Sequence, residues 1–116
     1  MFDTIQLAVG AFEPAITVHR NHDQGTAWAV YEFYPFSNDG VLYNVALEED
    51  VRASLKGLVL DVALEDYTAE EWPVVEVAVR VRDIDPTMDD EELYERLYPI
   101  TEVMNGIDID SYIEYD

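Results

Sequence analysis

The sequence predicts an α+β fold: a single domain with a mostly antiparallel sheet, an N-terminal β-meander, and one or two helices packed on one face of the sheet. Three observations predict it. Strand patterns fill the first half, strands and helices mix only later, and no regular strand–helix–strand alternation indicates a parallel sheet. The 116 residues, 49% of them hydrophobic, suit one acidic domain over residues 1–116 with its own core.

The first half of the chain predicts four strands. Short stretches of alternating, aromatic or β-branched residues are separated there by clusters of Asn, Asp, Gly, Pro and Ser. The predicted strands are residues 2–9, 15–20, 26–34 and 41–45. The predicted turns are residues 21–25, where Gly25 can adopt a positive φ, and residues 35–40. The last three strands, joined by these two turns, are predicted to form the meander.

The middle of the chain predicts a helix over residues 47–56. Three acidic residues, 48–50, stand at its predicted start, where the helix dipole favours anions, and Gly57 follows its end. Residues 58–65 fit either a short strand or a continuation of the helix, because the apolar residues keep a helical spacing. The break at Gly57 is the favoured interpretation.

The second half opens with the clearest strand, residues 74–82, in which four alternate valines line one face. A helix is predicted over residues 86–98, with Pro86 in its first turn and Thr87 in a near capping box. Pro99 is expected to end or kink that helix, and a further turn reaches Met104. The tail, residues 107–116, alternates well enough to predict an edge strand.

The charge of the chain is its most informative functional feature. It has 26 Asp and Glu against 6 Lys and Arg, a formal net charge of −20. A folded chain of this length is about 35 Å across, and duplex DNA carries about 20 phosphates over that distance. The chain therefore carries about the charge of a duplex segment of its own size. Such a protein is repelled by nucleic acids and anionic lipids and attracted to basic proteins.

Several function classes lose support from the composition. The chain has no cysteine, which excludes disulfides and thiolate chemistry and is compatible with a cytoplasmic location. No apolar run predicts a membrane span, and the first residues do not resemble a signal peptide. Neither a Gly-rich phosphate loop nor a nucleophile elbow is present, and the carboxylates are too numerous for one acid–base pair to stand out. No enzyme activity and no cofactor are predicted.

Two groups of residues resemble metal ligands, and neither predicts a metal site. His19 and His22, with the aspartate that follows, lack a third nitrogen or sulfur ligand, so two exposed hairpin histidines are the simpler interpretation. The acidic run from Asp83 fails the EF-hand template, because Met88 and Tyr94 occupy the positions that need Gly and Glu. Anions at a helix N-terminus explain that run.

The predicted partner-binding surface combines the 86–98 helix, the residues just before it, and the tail at 108–116. Carboxylates there would pair with the cations of a basic groove, and tyrosines would add contact area. A generic solvated acidic surface, with its tyrosines in the core, is the alternative. The predicted residues are Asp83, Asp85, Asp89, Asp90, Glu91, Glu92, Tyr94, Glu95, Asp108, Asp110, Tyr112, Glu114, Tyr115 and Asp116.

The sequence therefore predicts a non-enzymatic acidic inhibitor that mimics nucleic acid and occludes the DNA- or RNA-binding site of a basic protein. The target classes are nucleases, restriction enzymes and CRISPR-type effectors, and the role is that of a phage or mobile-element anti-defence protein or a toxin-neutralising protein. The alternative is an ordinary acidic domain of a halophilic organism with a structural or assembly role. Lys56, the single lysine, fits the alternative, and the 12% aromatic content fits it less well. The oligomeric state is left open.

Overall fold

A computed structural model describes residues 2–7, 15–21, 25–85 and 87–115, and its elements confirm the α+β class. The strands are β1 (Phe2–Leu7), β2 (Ala15–Asn21), β3 (Thr26–Phe33), β4 (Gly40–Leu42), β5 (Asp61–Tyr67), β6 (Val74–Arg82) and β7 (Ile113–Tyr115). The helices are α1 (Asn44–Ser54) and α2 (Asp90–Asn105), and a 3-10 turn spans Ile109–Tyr112.

Five strands form one antiparallel sheet in the order β1-β2-β3-β6-β5. The first three are the N-terminal meander. β6 then pairs with β3 along its length, from Arg82 opposite Thr26 to Val75 opposite Phe33. The centre of the sheet is thus built from two strands whose alternation is clear in the sequence.

The meander is not formed by the three strands that the sequence predicts. Residues 41–45 are not its third strand, because β4 stops at Leu42 and pairs with β7 in a separate two-stranded sheet. Leu42 is buried, whereas Val41 and Val45 are exposed, so this segment lacks the continuous buried face of a sheet strand. β1 is the third strand of the meander instead, next to β2. The predicted continuation of β1 to residue 9 lies outside the described residues.

One face of the five-stranded sheet forms the core, and both helices pack on it. Alternate side chains of β3 and β6 are buried there, as Tyr31 and Val77 illustrate. The helices contribute Leu47 and Val51 from α1, and Leu93, Leu97, Ile100, Thr101 and Met104 from α2. Each fully buried aliphatic side chain stabilises the fold by about 1.5–3 kcal/mol. In the described part of the chain the buried polar residues are Arg20, Thr68 and Thr101, so no carboxylate there is buried.

α1 begins three residues before the predicted start, at Asn44, and ends at Ser54. Its first turn therefore contains no acidic residue, and the helix dipole does not explain the carboxylates at 48–50. The break at Gly57 is confirmed, because this glycine has a φ of +85°, a conformation that other residues adopt at a cost. β5 follows, so the stretch at 58–65 leads into a strand and does not continue the helix.

α2 begins at Asp90, four residues later than predicted, and includes the further turn that was expected to reach Met104. Its N-cap is Asp89, whose carboxylate accepts the Glu92 backbone N–H at 2.9 Å. The prediction of a capping box at Thr87 is therefore wrong. Pro86 lies outside the described residues. Pro99 lies inside the helix, which continues to Asn105. Three residues after the proline extend the buried stripe, and their packing offsets the cost of about 3 kcal/mol that an internal proline carries.

The tail is also only partly a strand. Residues 109–112 form the 3-10 turn, and the strand is confined to β7. Ile109 is buried, as its place in the alternation suggests, and Ile107 is half-buried. The tail therefore pairs with β4 and does not extend the edge of the main sheet.

Three arginines tie the helical layer to the sheet by donating to backbone carbonyls. The bonds are Arg20 Nη1 to Met88 O at 2.8 Å, Arg52 Nη2 to Val62 O at 2.8 Å and Arg96 Nη2 to Arg82 O at 3.0 Å. A charged donor makes a stronger hydrogen bond than a neutral one. Half of the six basic residues of the chain therefore connect elements of the fold.

The buried hydrogen bond between Tyr31 and Thr101 makes a prediction about stability. The two hydroxyl oxygens lie 2.9 Å apart and join β3 to α2 inside the core. Thr101→Val removes one hydroxyl and is expected to lower the free energy of unfolding by about 1–3 kcal/mol, because the other is left buried without its partner. Urea unfolding followed by circular dichroism measures it.

The matched control is Thr17→Val, at a half-buried strand position, with an expected change within about 0.5 kcal/mol. Adding Tyr31→Phe to Thr101→Val is expected to recover part of the loss, because both polar groups are then gone. An unchanged urea midpoint for Thr101→Val would contradict the importance of this bond.

Candidate acidic interface

α2 presents a stripe of carboxylates and tyrosines on its outer side. Glu91, Glu95, Tyr98 and Glu102 follow one another at helical spacings of four, three and four residues, and Tyr94 flanks them. We call these five residues the acidic ridge. All three glutamates are exposed, while the buried residues of α2 face the sheet. At 1.5 Å per residue the ridge extends about 16 Å along the helix axis.

Glu102 was not among the predicted site residues, because the predicted interface used the helix only as far as residue 98. In the structure it lies in the last turn of α2, where the helix dipole disfavours an anion. The Tyr98 hydroxyl donates to Glu102, and this bond raises the pKa of Tyr98 above its ordinary value. The rings of Tyr94 and Tyr98 meet edge to face, with centroids 6.1 Å apart. These contacts join three of the ridge residues, Tyr94, Tyr98 and Glu102.

The predicted residues that precede α2 serve its local structure. Asp83, at a φ of +62°, lies 3.9 Å from Arg96. Asp85 accepts the backbone N–H and the hydroxyl of Thr87, and these bonds, together with nearby Arg20, hold the pKa of its carboxyl below the ordinary value. Asp89 is the N-cap. The first turn of α2 then contains three acids, Asp90, Glu91 and Glu92, a position that the helix dipole favours.

The predicted residues of the tail bind α1, β4 and the loop after β3. Asp110 accepts the Phe36 backbone N–H at 2.9 Å and the hydroxyl of Tyr115. The Tyr112 hydroxyl donates to Asp50 of α1 at 2.5 Å. Glu114 accepts the Tyr43 hydroxyl, and Asp108 is exposed. Asp116 lies outside the described residues.

The two predicted segments therefore lie at opposite ends of α2. The helix has 16 residues, which places its ends about 22 Å apart. Near the C-terminal end, a depression of about 300 Å³ lies between α1, α2 and the tail, with Asp50 and Asp108 in its lining. The acidic ridge connects the two ends, so the predicted residues form a long surface and not one cluster.

Tyrosine hydroxyls take the role that basic side chains usually have as partners of carboxylates. The pairs are Tyr34 with Glu32, Tyr43 with Glu114, Tyr98 with Glu102, Tyr112 with Asp50 and Tyr115 with Asp110. A phenol donates a hydrogen bond but adds no positive charge. The carboxylates are thus ordered while the negative charge of the surface remains.

A second surface lies at one end of the main sheet and was not among the predicted site residues. Tyr34, Phe36 and Trp72 are 61%, 84% and 82% exposed there. Together with their neighbours they line an open groove of about 550 Å³ between residues 34–38 and 71–73. We call it the aromatic groove. Its signal in the sequence is that each of these aromatic residues is next to a proline.

The chain matches no known protein family, no curated protein and no solved structure. Among the described residues, no helix is long and apolar enough to cross a membrane. The same part of the chain contains no group of three or more His, Cys, Asp or Glu placed to hold a metal ion. His19 Nδ1 lies 3.0 Å from Thr4 Oγ1, and His22 with the aspartate after it lies outside the described residues.

The tyrosine environments predict alkaline instability. Hydrogen bonds or repulsion from carboxylates raise the pKa values of five tyrosines. Burial is the main cause of the raised pKa of Tyr115, and it raises the pKa of Tyr31 to about 12. The five are Tyr34, Tyr43, Tyr67, Tyr98 and Tyr112. A raised pKa in the folded state means that folding favours the neutral phenol. This stabilisation is present below the unfolded value of 10.0 and is lost as the pH rises through the folded values.

Ultraviolet absorbance of tyrosinate measures this directly. The native protein is expected to titrate mostly above pH 10.0, with Tyr31 last. The same protein in concentrated urea is the control and is expected to titrate near the unperturbed value of about 10. Identical titration curves in the two conditions would show that the phenol–carboxylate pairs do not persist in solution.

Proposed function

We propose that the protein is a non-enzymatic cytoplasmic inhibitor that occupies the nucleic-acid-binding site of a basic protein. The observation that carries this proposal is the acidic ridge, a row of exposed carboxylates at helical spacing on a chain with a net charge of −20. In the described part of the chain no carboxylate is buried, and five have tyrosine hydroxyls as partners. The surface therefore keeps a strong negative field that attracts a basic groove and repels nucleic acid.

The shape of the molecule supports the comparison with a duplex, with one adjustment. The fold is elongated, measuring 47 × 26 × 25 Å, so its long axis exceeds the 35 Å expected of a sphere-like chain. Twenty net charges over 47 Å amount to about one per 2.4 Å, against about one per 1.7 Å for duplex DNA. The linear charge density is thus about 0.7 times that of DNA, enough to compete for a site that attracts phosphates.

The ridge explains attraction better than it explains affinity. Exposed ion pairs each contribute only about 0.2–1 kcal/mol, because water and salt screen them. Charges on the rim of an interface mainly raise the association rate. The ridge is accordingly the element that brings a basic partner to this surface, and shape and buried area must supply the rest.

A competition assay tests the proposed function. Purified nucleases, restriction enzymes and CRISPR-type effectors are each bound to labelled DNA or RNA, and displacement by this protein is measured. The variant Glu95→Lys with Glu102→Lys is expected to weaken displacement more than tenfold, mainly through slower association. These two positions are chosen because both side chains are exposed, so their reversal is expected to leave the fold intact. A lysine at residue 102, in the last turn of α2, also suits the helix dipole.

The matched control is Glu48→Lys with Glu49→Lys on α1, which changes the net charge equally. It breaks only the exposed Glu48–Arg52 pair, worth about 0.3–0.5 kcal/mol. If the control weakens displacement as much as the ridge variant, the charge acts in bulk and the localised interface is wrong. If the protein binds a target without displacing its nucleic acid, occlusion itself is wrong.

The salt dependence of folding separates this function from halophilic adaptation. A domain whose acidity is environmental needs concentrated salt to screen its self-repulsion. We expect cooperative thermal unfolding at about 0.1 M KCl, where the Debye length is about 10 Å, and only a modest gain at about 1 M, where it is about 3 Å. Circular dichroism measures both. A chain that is unfolded at the lower concentration would favour the halophile instead.

A further inference from the structure

We propose that the aromatic groove binds an arginine side chain of the basic partner. This inference rests on the proposed function and names the chemistry of its short-range contact. The groove is lined by Tyr34, Pro35, Phe36, Glu71, Trp72 and Pro73, with Ser37 and Asn38 at one side. It combines exposed aromatic faces with a carboxylate, the two features that a guanidinium group recognises.

The pairing of β3 with β6 brings the two walls of the groove together. Phe33 lies opposite Val75, so the chain leaving β3 and the chain entering β6 run side by side beyond the end of the sheet. Phe36 and Trp72 are therefore neighbours in space although 36 positions separate them in the sequence. Single exposed apolar residues are common, but three large aromatics around one groove indicate a binding surface.

The Phe36 side of the groove is held in shape without a ligand. The Phe36 backbone N–H donates to Asp110 Oδ1 at 2.9 Å and lies 3.0 Å from the Tyr115 hydroxyl. The Phe36 ring meets Tyr115 edge to face at 6.0 Å. Pro35 and Pro73 restrict the backbone next to the aromatic side chains. A groove that is already ordered loses little conformational entropy when it binds, which favours affinity.

The charge around the groove selects a cation as the occupant. Glu71 lines the groove, and Glu32 accepts the Tyr34 hydroxyl at 2.8 Å beside it. The net charge of −20 opposes a second copy of this chain, and it opposes nucleic acid for the same reason. A basic protein segment remains. Asp110 and Tyr115 of the tail support Phe36 directly, so a segment in the groove also meets the acidic tail.

Arginine fits this site better than lysine. The guanidinium group is planar, weakly hydrated, and able to stack on an aromatic ring while it bonds to a carboxylate. The lysine ammonium is a compact, strongly hydrated charge. The ridge attracts both cations alike, whereas the groove distinguishes between them. The two surfaces are therefore separable by experiment.

The test uses short peptides of equal length in which glycine alternates with arginine, lysine or citrulline. Citrulline keeps the shape of arginine and lacks its charge. In a Trp28→Phe background, Trp72 is the only tryptophan, so its fluorescence reports on the groove. The arginine peptide is expected to change that fluorescence and to bind about fivefold or more tightly than the lysine peptide, and the citrulline peptide is expected not to bind.

Variants measured by calorimetry complete the test. Trp72→Leu is expected to abolish the preference for the arginine peptide over the lysine peptide, and Glu71→Gln is expected to reduce this preference. The control Val45→Ala changes another exposed apolar position and is expected to leave the preference unchanged. Glu95→Lys with Glu102→Lys is expected to weaken both cationic peptides and keep their ratio. Equal binding of the arginine and lysine peptides, or binding of citrulline, would overturn the arginine site. The proposed function fails separately, through absence of displacement in the competition assay.

Discussion

A shortage of cations is the constraint on which this structure depends. The chain must fold with 26 carboxylates and only six basic side chains. Three arginines donate to backbone carbonyls and hold the helices on the sheet, and two of them, Arg52 and Arg96, also pair with exposed carboxylates. The six cations still leave a net charge of −20. The carboxylates are kept in water, placed at the N-terminus of α2, or paired with tyrosine hydroxyls. This arrangement permits a stable core beneath a surface that remains strongly negative.

The same constraint leaves two surfaces of different character, which are the two proposed binding elements. The acidic ridge acts at a distance, because its exposed charges attract any basic partner within about a Debye length. The aromatic groove acts at contact, because stacking and desolvation need atoms to touch. In the described residues Tyr115 and Asp110 join the groove to the tail, and the tail contacts α1 through Tyr112 and Asp50. In the proposed function, the ridge would attract a basic partner and the groove would anchor it on the same molecule.

The sequence predicted the elements that carry their own periodicity. β3 and β6 have strict alternation, and Gly57 marks a backbone break that needs a positive φ. The errors fall where a local rule competes with packing. Pro99 normally ends a helix, but Ile100, Thr101 and Met104 continue the buried stripe and prolong α2. The continuation of α2 past Pro99 places Glu102 on the ridge, and Glu102 was not among the predicted site residues.

The sequence by itself determined the α+β class, the single buried face of the sheet and the overall charge. The charge follows from composition, and the other two follow from the periodicity of residues that are close in the sequence. The tertiary structure alone decided which strands pair, which carboxylates meet tyrosines, and where aromatic side chains collect. Tyr112 reaches Asp50 across 62 positions, and Phe36 meets Trp72 only because β3 pairs with β6. Contacts of this kind depend on the global packing of apolar faces, which no local pattern encodes.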